Sequence, residues 1–335
     1  MNYSIVIPIY KRSELLLDTL YSVLSQDLKP LEIIIIDNND IEIESNKLYK
    51  VLTEFLSRNN LHINLVKSFR NSGAAARNIG ANIAKGELIA FLDSDVILDS
   101  NYYSTLVNYF KNDPDLIGAQ GIDRSFIESQ EISKDAGFFK RFLLKLEEFF
   151  ETGTLFNRKF GYVSPSLAVS HPNVLNDFEV VSQWISTCAG IFKKRLFRKY
   201  NFPNQFITYS NNEYIYFSYK LFLNQEGKML YTSKAKYKDV QTSIGRINKI
   251  PLMYQIQVYD YFIFYRLFKL NFLNIIVFVK SRIGHLFLNL FRLLNRREVS
   301  LLSYFHAIFS ILYPLIYLRS IIKGDLTFYN KRFEK

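Results

Sequence analysis

Short apolar runs alternate with stretches of helical period through the first third of the chain. Ile5, Val6 and Ile7 form a buried strand closed by Pro8. Ser13 is placed to cap the helix that follows, whose Leu16, Leu20, Val23 and Leu24 fall at helical spacing. Residues 31–36 are apolar on both faces and end at Asp37. A helix over about 46–57, a strand over 63–66, a helix from 72 to 85 and a strand over 88–92 follow. Ala74, Ala75 and Ala76 are strong helix formers. Strands apolar on both faces and separated by helices predict an α/β fold, with a mostly parallel sheet covered on both sides. Ligands bind such sheets at the carboxyl ends of their strands. The polar groups at 8–10, 37–40 and 93–95 are therefore expected to converge in one crevice.

The pattern loosens between 124 and 182. Phe138, Phe139, Phe142, Leu143, Leu146, Phe149 and Phe150 make an apolar stripe at helical spacing. It reads as a core-facing helix, with a membrane contact or a lid as the alternative. Residues 185–192 are predicted as a strand, 193–200 as a basic helix, and 211–225 as a helix closed by Gly227. From about residue 250 the chain turns to long aromatic and aliphatic helices carrying Lys and Arg. Residues 299–318 hold no Asp, Glu, Lys or Arg and just reach the roughly 20 residues needed to span a bilayer. Ser300, Ser303, His306, Ser310 and Pro314 favour a helix pair lying at the interface instead.

Charge sharpens that division. Of the net +11 of the 335-residue chain, +10 lies from Arg246 onward, where fourteen Lys and Arg face four Asp and Glu. An anionic partner for the tail follows. The aliphatic bulk between the cations points to a membrane surface and away from nucleic acid. A dimer interface is the other use of such an appendage. The chain is thus expected to comprise residues 1–245, split into halves at 120, and a helical extension at 246–335. One cysteine, Cys188, excludes a disulfide scaffold and a thiolate zinc site. Four scattered histidines argue against a zinc hydrolase. No secretory leader is evident, so the expected location is cytoplasmic, peripheral on the inner face of the cell membrane.

Asp93-Ser94-Asp95 is the strongest chemical feature. Two carboxylates just beyond a buried strand can address one hard divalent cation, Mg²⁺ or Mn²⁺, together with phosphate oxygens. Residues 71–80 place small side chains and Arg77 at a helix start, where phosphate is favoured; an ion pair to a strand-end carboxylate is the other use of Arg77. Asp37, Asn38, Asn39 and Asp40 suit the edge of a base or a ribose. Trp184 has two readings, a platform for an acceptor sugar or a core residue.

Four segments occur in order: SIVIPIYKR at 4–12, IIIIDNND at 33–40, NSGAAARNIG at 71–80 and GELIAFLDSDV at 86–96. Together they resemble the nucleotide-sugar half of a family 2 glycosyltransferase of the GT-A fold, a Rossmann-like arrangement. STCAGIFKKRLF at 186–197 resembles the acceptor side. The resemblance implies transfer of a sugar from a nucleoside diphosphate, UDP favoured, to a hydroxyl on a glycan or a lipid-linked acceptor, with inversion. It implies that Pro8, Ile9 and Tyr10 line the base pocket and that Asn38 stands where the family has an Asp toward uracil. Asp37, Arg77 and Ser94 fall in the donor site, Asp93 at ribose or metal, and Asp95 on the metal. Glu213 is the expected catalytic base, with Tyr214 where the family has a carboxylate and Asp177 and Glu179 as runners-up. Asp239 stands near the place of a family His, as a possible third ligand. A binding scaffold that has lost its base is the competing class. A nucleotidyltransferase is disfavoured, because no glycine-rich, lysine-bearing phosphate loop occurs near the N-terminus.

Overall fold

The computed structural model describes residues 1–335 except 60–61, 129–144, 147–148, 151–159, 172–176, 209–211, 241, 243, 246–247, 295–299 and 333–335. A nine-stranded sheet organises it. β1 (Tyr3–Ile9), β2 (Glu32–Asp37), β3 (Ile63–Lys67) and β4 (Leu88–Phe91) are parallel, in the order β3-β2-β1-β4. The sheet continues through β8 (Ile191–Lys193), β6 (Leu116–Asp123), β9 (Lys228–Asp239) and β5 (Val96–Leu98), with β7 (Glu179–Ser182) also on β9. β8 runs antiparallel to both its neighbours.

Period-two alternation divides the core. Ile5, Ile7, Ile33, Ile35 and Leu88 face α1 (Leu15–Leu24), α2 (Glu42–Arg58) and α4 (Tyr102–Asn112). Val6, Ile34, Ile36, Ile89 and Phe91 face α3 (Gly73–Ile83), α5 (Glu213–Leu223) and α6 (Lys249–Leu267). Ser72 caps α3, its hydroxyl accepting from the Ala75 N–H at 3.1 Å. Ser13 does not cap α1. The Leu16 N–H already bonds the Arg12 carbonyl, so the helical turn begins before Ser13 and its hydroxyl is buried without a partner.

The strand expected at 185–192 shrinks to β8. Ser186 accepts from the Cys188 N–H through its hydroxyl, and a Cβ on Gly190 would stand 2.1 Å from the Ser186 carbonyl oxygen. That turn carries 186–189 away from the sheet. The basic helix is a single 3₁₀ segment, Lys194–Arg198. β9 has no apolar signature, because Lys228, Lys234, Lys236 and Lys238 interrupt it, yet it pairs with β5, β6 and β7.

The change of composition at 246 falls inside one packed body. α6 buries Val258, Tyr259, Phe262, Ile263 and Phe264 in the same cluster as Val6 and Phe91, and Tyr259 stacks on Phe206 at 3.9 Å. Outside it lie α7 (Phe272–Leu294), α8 (Leu301–Ile316), α9 (Leu318–Lys323) and α10 (Thr327–Asn330). The 299–318 stretch forms a 16-residue helix, whereas Phe272–Phe291 is long and apolar enough to cross a membrane by length and composition. Most of the stripe expected at 138–150 lies outside the described residues; Phe150 presses on Gly284 of α7.

Candidate active site

Because β1, β2 and β4 are parallel, their carboxyl ends share one edge of the sheet. They open into a cavity of about 250 Å³. Pro8, Ile9 and Tyr10 line it from β1, Asn38 from the end of β2, and Asp93 and Ser94 from beyond β4. Asn38 is fixed by its side-chain carbonyl, which accepts from the Ser72 N–H at 3.2 Å. Arg77 enters from α3 and Glu213 from the first turn of α5.

Arg77 ties this set together. One terminal nitrogen donates to Asp93 Oδ1 at 2.7 Å and the other to Glu213 Oε1. Of the two uses expected of Arg77, the geometry shows the ion pair, and the pair stands on the wall of the cavity. Burial alone would lower the guanidinium pKa, but Glu213 and Asp93 outweigh it and hold the cation. Glu213 is buried in the first turn of α5. It shares the crevice with Asp93. Asn212, just before it, is left-handed at φ +64° and donates to Asp260 Oδ1 at 2.9 Å.

The two aspartates of the Asp-Ser-Asp turn differ. Asp93 keeps 35% of its side chain open to the cavity. Burial raises its pKa against the pull of Arg77, and Asp239 raises it further. Asp95 is buried behind the cavity wall, with its Oδ2 2.8 Å from Arg12 Nη1. Burial and then the charge of Asp93 push it up to about 6, with Arg12 opposing. Asp239, at the end of β9, does line the cavity. The thiol of Cys188, also on the wall, is pushed well up by burial and stays protonated.

These groups suit a hard cation. The donors are carboxylate oxygens: Asp93 and Asp239 line the cavity, with Asp95 behind its wall. Among the described residues no three His, Cys, Asp or Glu side chains form a cage on their own. Mg²⁺-type binding by one or two carboxylates plus ligand phosphates fits that arrangement.

Several expected residues stand elsewhere. Asp37 does not line the cavity. Lys67 donates to it at 2.9 Å and the Asn39 backbone and amide nitrogens at 3.0 and 2.8 Å, so it braces the 37–40 loop. Trp184 is 2% exposed, packed against His171, Tyr214 and Tyr231, and offers no face to a sugar. Asp177 accepts from Ser233 and Glu179 pairs with Lys234, both away from the cavity. Arg12, Ser186, Thr187 and Thr208 line it without having been singled out. The first three lie inside recognised segments. Thr208 left no sequence signal; it arrives because its N–H bonds the Asn71 carbonyl and its carbonyl accepts from Gly73.

Residues 4–170 match the family model described as glycosyl transferase family 2. The chain is 33% identical over 147 residues to the amylovoran biosynthesis glycosyltransferase AmsB of Erwinia amylovora, covering 43% of this chain and 46% of that protein. It is 36% identical over 135 residues to the poly(ribitol-phosphate) beta-N-acetylglucosaminyltransferase TarP of Staphylococcus aureus, covering 36% of this chain and 38% of that one. The matches thus span less than half the length of these relatives. Among solved structures, S. aureus TarS 1–349 in complex with UDP-GlcNAc superposes with a TM-score of 0.51 at 15% identity, over 98% of this chain and 89% of that one. GalNAc-T7 with UDP, GalNAc and Mn²⁺ gives 0.53 at 17%, over 73% and 44%. The likeness is one of fold, and the fold is GT-A.

Proposed function

The chain belongs to glycosyl transferase family 2 through residues 4–170, and from that membership we propose that it moves a sugar from a nucleoside-diphosphate sugar, UDP type favoured, to an acceptor hydroxyl with inversion. The acceptor is a glycan or a lipid-linked saccharide of the cell surface, and the enzyme works from the inner face of the cell membrane. The observation that carries this reading is the Arg77 bridge, which holds Asp93 and Glu213 on one cavity wall.

In this mechanism Pro8, Ile9, Tyr10 and Asn38 seat the base. Glu213 takes the proton of the acceptor hydroxyl while its oxygen bonds the anomeric carbon and the bond to the diphosphate breaks. Arg77 holds the Glu213 side chain in place beside the donor. Asp93 and Asp239, which line the cavity, are the residues that would hold Mn²⁺ or Mg²⁺; Asp95, behind the wall on Arg12, would join them only by giving up that ion pair. That ion would supply positive charge for the leaving diphosphate. Outward apolar residues on α7 and α8 with the cationic tail support seating on an anionic bilayer.

A screen of nucleotide-sugars for Mn²⁺-dependent hydrolysis and thermal stabilisation tests the assignment. Stabilisation and turnover by one donor are expected; neither with any donor overturns it. Tyr214 in place of the family carboxylate favours the second reading, a GT-A scaffold without turnover. Binding of UDP and Mn²⁺ without turnover of any sugar would select that one.

A further inference from the structure

α7 faces two ways. Outward it shows Phe272, Ile276, Val279, Ile283 and Phe287, each between 43% and 78% exposed. Inward it carries Arg282, 4% exposed. Four of its N–H bonds are engaged: to Ser281 Oγ at 3.1 Å, Gln257 Oε1 at 3.2 Å, Asp260 Oδ2 at 2.6 Å and the Ser166 carbonyl at 2.7 Å. Asp260, on α6, turns its other oxygen to Asn212. The chain of bonds therefore leads from α7 through α6 to the residue preceding Glu213, and on to Arg77 and Asp93.

Burying an ion pair is costly unless it is fully partnered, and apolar residues would serve stability as well. The pair needs another reason to be there. Asn212 supplies it. It borders the donor cavity on one side and a second cavity of about 440 Å³ on the other, lined by Asp260, Arg282 and His285. With open space on two sides, packing does not fix its side chain; the bond to Asp260 does. Asparagine adopts the left-handed region more readily than other non-glycine residues, so the turn alone does not anchor Asn212 and its bond to Asp260 does.

We propose that Asp260 and Arg282 are positioning residues for the transfer step: they clamp Asn212, set the first turn of α5, and so aim the Glu213 carboxylate at the reacting centre. The extension is thereby wired to the active site. This rests on Glu213 acting as the base.

Asn212→Gly is the sharpest test. Glycine accepts φ +64° freely, so if Asn212 merely permits the turn the change is silent. If the clamp matters, amides of residues 213–217 exchange faster by hydrogen exchange. The fluorescence of Trp184, whose ring lies 5.8 Å from that of Tyr214, shifts as well. Arg282→Lys, remote from the donor cavity, should repeat both effects. Turnover of the donor found in the screen should fall about tenfold or more, since small misplacements of a reacting group cost that much, while UDP–Mn²⁺ affinity holds within about twofold. The double variant should be no worse than either single one, because both break one link. Unchanged exchange and fluorescence in Asn212→Gly, or additive losses in the double variant, overturn the proposal. If Arg282→Lys fails to fold, Asn212→Gly and Asp260→Asn decide by the same readouts. A wild-type chain that turns over no donor counts against the transferase reading alone, because exchange and fluorescence still decide whether the clamp exists.

Discussion

At the residue scale, Arg77 and Glu213 carry the sharpest expectations. Glu213→Gln should keep UDP–Mn²⁺ affinity and lose roughly 10²–10⁴ in turnover, the range for removing a general base. Calorimetry beside a steady-state assay separates the two. Arg77→Lys should lose turnover as well, because an ammonium cannot reach Asp93 and Glu213 with two fixed N–H groups at once. Asp37 gives a pH-dependent test of a different kind. Burial pushes its pKa up, but Ser45, Lys67 and the Asn39 N–H outweigh it and hold the carboxyl below its usual range. A depressed carboxyl stabilises the fold above the unfolded-state value of about 3.9, and that stability is lost as pH falls through the folded value. Asp37→Asn should therefore cost about 1–3 kcal/mol at pH 7. The gap to wild type should close as urea melts are taken below about pH 4.

At the element scale, α3 shows how closely the helices pack on the parallel strands. Gly80 lies against β1, and a Cβ there would stand 2.2 Å from Val6 Cγ1 and 2.9 Å from Cγ2. Rotating the valine brings one methyl in as it takes the other out. Gly80→Ala should thus destabilise by about 1–3 kcal/mol through overpacking, against the roughly 1 kcal/mol that alanine gains in helix propensity. Chemical denaturation gives the sign directly. A more stable Gly80→Ala chain would mean that α3 can lift from the sheet, and with it Arg77.

At the scale of the whole molecule, the basic tail has two parts with different physical roles. α6 is core, so a chain cut at residue 245 should fail to fold, seen as lost near-ultraviolet dichroism. The outer faces of α7 and α8 are exposed apolar stripes. Leu302, Phe305, Phe309, Leu312 and Ile316 are between 48% and 75% exposed at helical spacing. Replacing Phe272, Ile276 and Ile283 by serine should leave the melting temperature near wild type. The same variant should lose cosedimentation with phosphatidylglycerol vesicles, and salt should weaken that binding in the wild type. Vesicle binding that survives the triple change would place the membrane contact elsewhere.

Continuous apolar runs and strand-end aspartates were legible in the sequence because they are local: each strand must bury both faces, and each turn must leave the sheet where polar groups find solvent. They determined the α/β class and the convergence of Pro8–Tyr10, Asn38 and Asp93 on one cavity. Separations of 136 residues in sequence, such as Arg77 to Glu213, are set by packing, and no periodicity records them. Tertiary structure alone decided that Asp37 is a brace, that Trp184 is core and that Asp95 lies behind Arg12. It also decided that β9, interrupted by lysines, joins three strands. For the same reason, whether a carboxylate lines the cavity or sits behind a neighbouring cation was decided only when distant segments closed on one another. That closure also buried Asp260 and Arg282 and tied them to Asn212.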